Sequence, residues 1–219
     1  MWTNKQKRTY HTLLSGFKMS QFQNSICRFM TLTTSDLMKE SVDFRDGSMN
    51  KSFRSLSYRF KRMTPYKMAK QGYIKTKQLK KYYPNKQLNQ NLTFNYHKVE
   101  TNEGNGVLHI VYRGDYCPYT WLSDNWMDIH NSWDVNIRLI RNNSNDVRKA
   151  SSYIVTQYVA GQKSSYVRSS HSWEWVFRGF KTLWYQIKHW YPNEALTLWN
   201  KILLNHANSK MQTTLDSFI

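Results

Sequence analysis

Apolar and polar positions along the chain follow two periods, and the points where one replaces the other outline its elements. Arg28-Phe29-Met30-Thr31-Leu32-Thr33-Thr34 is dense in β-forming residues and predicts a strand, with Ser35-Asp36 able to cap a following helix. Phe53, Leu56, Phe60 and Met63 then recur at helical spacing while Arg54, Arg59, Lys61 and Arg62 take other faces, which predicts an amphipathic helix with a basic outside. Leu92 to Glu100 alternates in the strand manner, Gly104-Asn105-Gly106 is turn chemistry, and Val107 to Tyr112 returns as the second arm of a hairpin. A helix over Pro118 to His130 follows, carried by Trp121, Leu122, Trp126 and Ile129, and then a strand over Val135 to Ile140. The last clear helix runs from about Asp146 to Gly161, where Val147, Ala150, Ile154 and Tyr158 share a face. Residues 1–25 carry no comparable period and read as a loose, flexible arm.

Strand, helix, hairpin, helix, strand, helix is the order of an α+β domain in which an antiparallel sheet is backed by helices. That domain spans residues 26–170, with a basic insertion at 45–86. From 171 to 219 the chain reads as a helical, aromatic-rich extension, with Trp173, Trp175, Phe177, Phe180, Trp184, Trp190 and Trp199. No internal repeat is visible, and the 8 Gly and 4 Pro do not make a long disordered linker.

Charge narrows the choice of partner. Lys and Arg number 32 against 14 Asp and Glu, a formal net charge of +18 over 219 residues, and such a field attracts polyanions. An acidic protein, an anionic membrane surface or a ribosomal neighbour would satisfy charge alone. The 16% aromatic content, with 9 Trp and 15 Tyr, favours unpaired bases, which offer a phosphate and a π-face together. Much of the excess sits between Arg45 and Lys86, where thirteen Lys and Arg face a single acid, Asp46. Lys75, Lys77, Lys80 and Lys81 are therefore the candidate phosphate contacts, and a solvated surface is the plain alternative for any one of them. The two cysteines, Cys27 and Cys117, form no CxxC pair, so neither a zinc ribbon nor a disulfide framework is expected. The start of the sequence lacks the apolar stretch of a signal peptide and no run reaches the length of a membrane span, so no membrane partner is expected and the cytoplasm of a host cell is the expected location.

Three segments taken together carry a family resemblance: Phe29-Met30-Thr31-Leu32-Thr33, Glu103-Gly104-Asn105-Gly106-Val107-Leu108-His109-Ile110-Val111 and Tyr153-Ile154-Val155-Thr156-Gln157-Tyr158-Val159-Ala160-Gly161-Gln162. In this order and spacing, over roughly residues 28 to 170, the chain resembles the rolling-circle replication initiators of plasmids and viruses, the Rep endonucleases of the His-hydrophobe-His superfamily. The resemblance implies a ferredoxin-like or RRM-like nuclease fold and a central strand whose histidines hold a divalent metal, Mg2+ or Mn2+. It also implies a helix whose tyrosine attacks a DNA phosphodiester to form a 5′-phosphotyrosine link. A phenol with a pKa of about 10 is a weak nucleophile at neutral pH, which is why such chemistry calls for a cation on the scissile phosphate.

Carried over by motif, His109 takes the place of the first metal histidine and Tyr158, preceded by Gln157, takes that of the nucleophile, with Tyr153 the second candidate. Val111 stands where the second histidine belongs, so the metal motif is degenerate; Glu103, or Glu100 on the same hairpin, is the carboxylate that would complete the site. Arg168, within Tyr166-Val167-Arg168-Ser169-Ser170-His171, is a candidate phosphate contact. Gly161-Gln162-Lys163-Ser164 ends like a Walker A motif, but Thr156 replaces its first glycine, so unwinding falls to a host or partner helicase. The partner implied is single-stranded DNA at a replication origin. Beside this enzyme stand two alternatives: an inactive Rep-like accessory that binds single-stranded nucleic acid, and a transposase of related fold.

Overall fold

A computed structural model describes residues 3–23, 25–34, 48–101, 106–141, 143–160, 169–176, 184, 187–188 and 191–216, of which 5, 22, 48, 158–160 and 206–216 are described by backbone alone. The chain divides into two compact units, Met1–Val176 and Phe177–Ile219.

In the first unit the elements are α1 (Asn4–Phe22), β1 (Cys27–Thr33), α2 (Ser48–Lys61), α3 (Pro65–Lys70), α4 (Leu79–Tyr82), β2 (Phe94–Thr101), β3 (Val107–Gly114), α5 (Tyr119–His130), β4 (Val135–Ile140), α6 (Ser144–Ala160) and β5 (Ser169–His171). The strands form one antiparallel sheet in the order β4-β1-β3-β2-β5. The protein is thus α+β, as its sequence order predicts, with helices on both faces of the sheet.

Strand alternation assigns the faces, because successive side chains point to opposite sides. Met30, Leu32, Phe94, Leu108, Ile110 and Tyr112 enter one core, covered by α2, α3 and α5 through Phe53, Phe60, Met68, Trp121 and Trp126. Cys27, Phe29, Val99 and Val111 enter the other, covered by α1 and α6 through Leu13, Phe17, Val147, Ala150 and Ile154. These are called the first and second faces below. The 45–86 stretch is no appendage to the sheet. Its described apolar positions, from Met49 through Leu79, are a large part of the first core.

The expectation of a loose arm at 1–25 is overturned, since Asn4–Phe22 is helical. Thr3 and Gln6 form a capping box, each side chain bonding the other's backbone N–H, which satisfies two donors at the helix start. Leu13 and Phe17, one turn apart, are buried on one side of α1. Between them Gly16 lets the buried Trp175 ring lie against the helix: a Cβ at 16 would fall 2.0 Å from that ring. The indole N–H also donates to the Thr12 carbonyl at 3.0 Å. Trp175 and β5 therefore belong to the sheet domain, so the C-terminal extension starts later than residue 171. In the second unit α7 (Ala195–Asp216) buries Ala195, Trp199 and Leu203, and the rings of Trp184 and Trp199 lie 5.2 Å apart.

Candidate active site and nucleic-acid interface

His109 sits in the middle of β3, the central strand, opposite Thr31 on β1 and Val99 on β2. Its odd position turns it to the second face, where it is 2% exposed. The Phe29 ring lies 6.2 Å from the imidazole on one side. Tyr153 of α6 meets the imidazole edge-on at 5.4 Å and Phe29 at 5.5 Å. This tyrosine is 38% exposed, so its ring bridges the buried histidine and solvent. Exposed Arg138 on β4 places its guanidinium 4.8 Å over the Phe29 ring, beside the same aromatic group. One helical turn past Tyr153, the Gln157 Oε1 atom is buried without a hydrogen-bond partner among the described residues.

The structure therefore brings together His109 and Tyr153. For Tyr158 it gives only the backbone, within α6, and Glu103 and Arg168 lie outside the described residues. Glu100 is removed from the metal set. Its even position sends it to the first face, where Asn50 Nδ2 donates to its carboxylate. Val111, fully buried, packs with Phe29, Val99 and Ile154 and gives that stretch of the face an apolar floor. Among the described residues no group of three His, Cys, Asp or Glu is placed to hold a cation. His109 by itself is not a site for a hard divalent ion, which prefers several oxygen ligands; Glu103, the carboxylate expected to accompany it, lies outside the described residues.

Sequence reading missed a second histidine on this face. His97 on β2 pairs directly with Val111 on β3 and with His171 on β5, which puts an imidazole across the ladder from the valine. Its Nε2 lies 3.1 Å from Ser169 Oγ, and its Nδ1 is buried without a partner among the described residues. The His171 ring stacks on it at 6.0 Å. Burial, reinforced by the nearby His171 and Lys98, pushes the His97 pKa down to about 3, so the imidazole is neutral at physiological pH. Alternation in the segment Phe94 to Thr101 does put His97 opposite in face to Tyr96, but its register against Val111 is a long-range fact that no local pattern carries.

The candidate phosphate contacts lie elsewhere. Lys75, Lys77, Lys80 and Lys81 are all exposed, on the 3-10 turn at Thr76–Gln78 and on α4, held down by buried Ile74, Leu79 and Tyr83. Those anchors belong to the first core, so the lysines stand over the face opposite to His109. Aromatic rings accompany them. Lys81 Nζ is 5.7 Å from the Tyr82 ring, and Tyr82 stacks on Tyr116 at 4.2 Å with the planes 13° apart.

Fold and site together define an α+β protein whose antiparallel sheet presents an aromatic-lined histidine on one face and a run of exposed cations over the other. No family model, curated protein or solved structure matches the chain. Among the described residues no helix is long and apolar enough to cross a membrane.

Proposed function

We propose that this protein is a replication initiator of a small replicon, which binds single-stranded DNA at the origin, cuts it through a tyrosine and rejoins it, with Tyr153 as the nucleophile. The observation that carries this reading is the 5.4 Å edge-on contact between the partly exposed Tyr153 ring and the imidazole of His109. A nucleophile must reach solvent and substrate while a rigid element fixes its direction. Tyr153 meets both needs, since α6 packs on the sheet and Phe29 braces the ring.

In the step proposed, the Tyr153 phenolic oxygen attacks a backbone phosphorus. Its proton passes to solvent, the bond from phosphorus to the 3′-oxygen breaks, and that oxygen leaves as a hydroxyl. The 5′-phosphotyrosine conserves the energy of the phosphodiester, so attack by a 3′-hydroxyl reverses the step and joins the strands. Arg138, beside Phe29, would steady the negative phosphate by charge-assisted hydrogen bonding. A bound Mg2+ or Mn2+, held by His109 and Glu103, would supply Lewis-acid polarisation of that phosphate. On this reading the antiparallel sheet and its helices are a ferredoxin-like nuclease fold.

A second reading, a Rep-like accessory that binds single strands without cutting them, is favoured by the burial of His109 and by the apolar Val111 beside it. The two part in one assay. With labelled single-stranded oligonucleotides spanning a candidate origin, the enzyme produces nicks in Mn2+ or Mg2+ that disappear with a chelator and in His109→Ala. Tight binding with no nick in any of these conditions identifies the accessory.

A further inference from the structure

On the first face, a groove of about 580 Å³ opens between α2, α3 and α5. Trp121 and Met63 lie at its apolar base, Tyr58 and Tyr73 border it, and Arg62 and Lys67 stand at its rim. Its size lies within the roughly 300–1,000 Å³ of small-ligand sites. The base is rigid, because Trp121 is 2% exposed and packs edge-on against Phe60 at 5.1 Å.

The polar side chains are arranged rather than scattered. Tyr58 is 61% exposed, yet its ring is held, since Arg62 Nη1 donates to its hydroxyl at 2.9 Å and the guanidinium lies 5.2 Å from the ring centroid. Lys67 Nζ donates to the Arg62 carbonyl at 3.1 Å, which keeps a second positive charge beside the first. Arg59 differs from both. It is tied to Asp128 at 2.5 Å and to Asn125 Oδ1 at 3.3 Å, and so fixes the α2–α5 wall.

An exposed phenol face, an apolar base and two adjacent cations suit a ligand that is flat at one end and anionic at the other. We infer that this groove is a nucleotide-binding subsite, which stacks one unpaired base of a single strand on Tyr58 and holds its phosphate with Arg62 and Lys67. The inference rests on the single-strand-binding half of the reading above and is independent of any cutting. Stacking explains why an aromatic ring would be kept in solvent with a guanidinium across it: every base has a π-face, and Arg adds a cation to the phosphate side. An acidic peptide offers charge without the flat group and would leave the phenol face unused.

The test uses the full chain and a fluorescent 20-nucleotide thymidylate strand, with binding read by anisotropy across a salt series. Tyr58→Ala lowers affinity roughly 5- to 100-fold, the range for loss of one stacked base, without altering the dependence on salt. Tyr58→Phe retains the ring and stays close to wild type. Arg62→Gln reduces the slope of log affinity against log salt by about 0.7, as expected for one phosphate contact on a single strand. When 5-iododeoxyuridine replaces thymidine, the photo-crosslink maps to Tyr58 or Tyr73. The groove is overturned, while single-strand binding stands, where wild type binds the strand but Tyr58→Ala matches it and crosslinks fall elsewhere. It is overturned likewise where a polyglutamate peptide binds the groove better than the strand. A wild-type protein that fails to bind the strand at low salt removes the single-strand reading and this inference with it.

Discussion

On one face of the sheet, Met30, Leu108 and Ile110 are covered by helices whose outer sides hold Arg54, Arg62 and Tyr58 in solvent, and the segment with exposed Lys75, Lys77, Lys80 and Lys81 is anchored in the same core. On the other, Phe29, His109 and Val111 are covered by α1 and α6, and the notable polar groups are drawn inward, with His97 and His109 each 2% exposed. The difference teaches how the two halves of the proposed function are divided. Exposed cations attract a polyanion over a Debye length of about 8 Å whatever their exact position, whereas bond making needs one oxygen aimed by packing. A strand of DNA that uses both faces has to pass over an edge of the sheet, at β4 or β5.

The largest expected effect breaks the first face alone. Replacing Lys75, Lys77, Lys80 and Lys81 together by Gln should lower the slope of log affinity against log salt by about 3, near the 0.7 per contact of single strands, with sequence preference unchanged. Anisotropy titrations over a salt series measure it, and an unchanged slope takes this segment out of the interface. The melting temperature should hardly move, because all four side chains are exposed.

Substitution under the second face acts on stability instead. Gly16→Ala puts a methyl group 2.0 Å from the buried Trp175 ring, so either the ring or α1 must shift. A loss of about 2–3 kcal/mol is expected from overpacking, read by urea denaturation. Undiminished stability would mean that α1 does not pack on Trp175 as described.

These regions also differ in how much the sequence disclosed. β1, the β2–β3 hairpin, α5, β4 and α6 were legible because each places several large apolar side chains at a clean period, as Trp121, Leu122 and Trp126 do in α5. α1 was not, since its buried side combines Leu13 and Phe17 with Gly16 and Ser20, and small residues that admit a distant indole leave no hydrophobic signature. β5, reading Ser169-Ser170-His171, has no apolar pattern at all and exists through its pairing with β2. The candidate site was half legible. His109 stood out as the histidine of a strand, whereas the contact of Tyr153 with it is set by how α6 docks on the sheet. His97 was invisible because its partners come from other strands, and the Tyr58 groove because Tyr73 and Trp121 reach it from elsewhere in the chain.

A smaller effect sharpens the account of the second face. The His97 imidazole has its folded pKa pushed down to about 3, against about 6.5 in an unfolded chain. Below pH 6.5 the unfolded state takes up the proton that the folded state refuses, so this group's contribution is intact above about 6.5 and is lost as pH falls toward 3. The limiting slope is about 1.4 kcal/mol per pH unit for one proton. His97→Gln, compared with wild type by urea denaturation between pH 6.5 and 5, should flatten the curve by up to that amount. Parallel curves would contradict a buried neutral imidazole at 97. His130, whose pKa burial also lowers, remains in both proteins and cancels in the comparison.

The smallest change to the fold is the most direct test of the chemistry. Tyr153→Phe removes one partly exposed hydroxyl and keeps the ring against His109 and Phe29, so stability should change by no more than about 0.5 kcal/mol. Incubated with labelled single-stranded origin DNA and Mn2+, then denatured and run on a gel, the wild-type protein should carry a covalent DNA adduct. Tyr153→Phe should reduce that adduct by on the order of a thousandfold or more, and Tyr158→Phe should retain most of it. An adduct that survives Tyr153→Phe and disappears in Tyr158→Phe would contradict the assignment, and the absence of any adduct from the wild-type protein would contradict the enzyme itself.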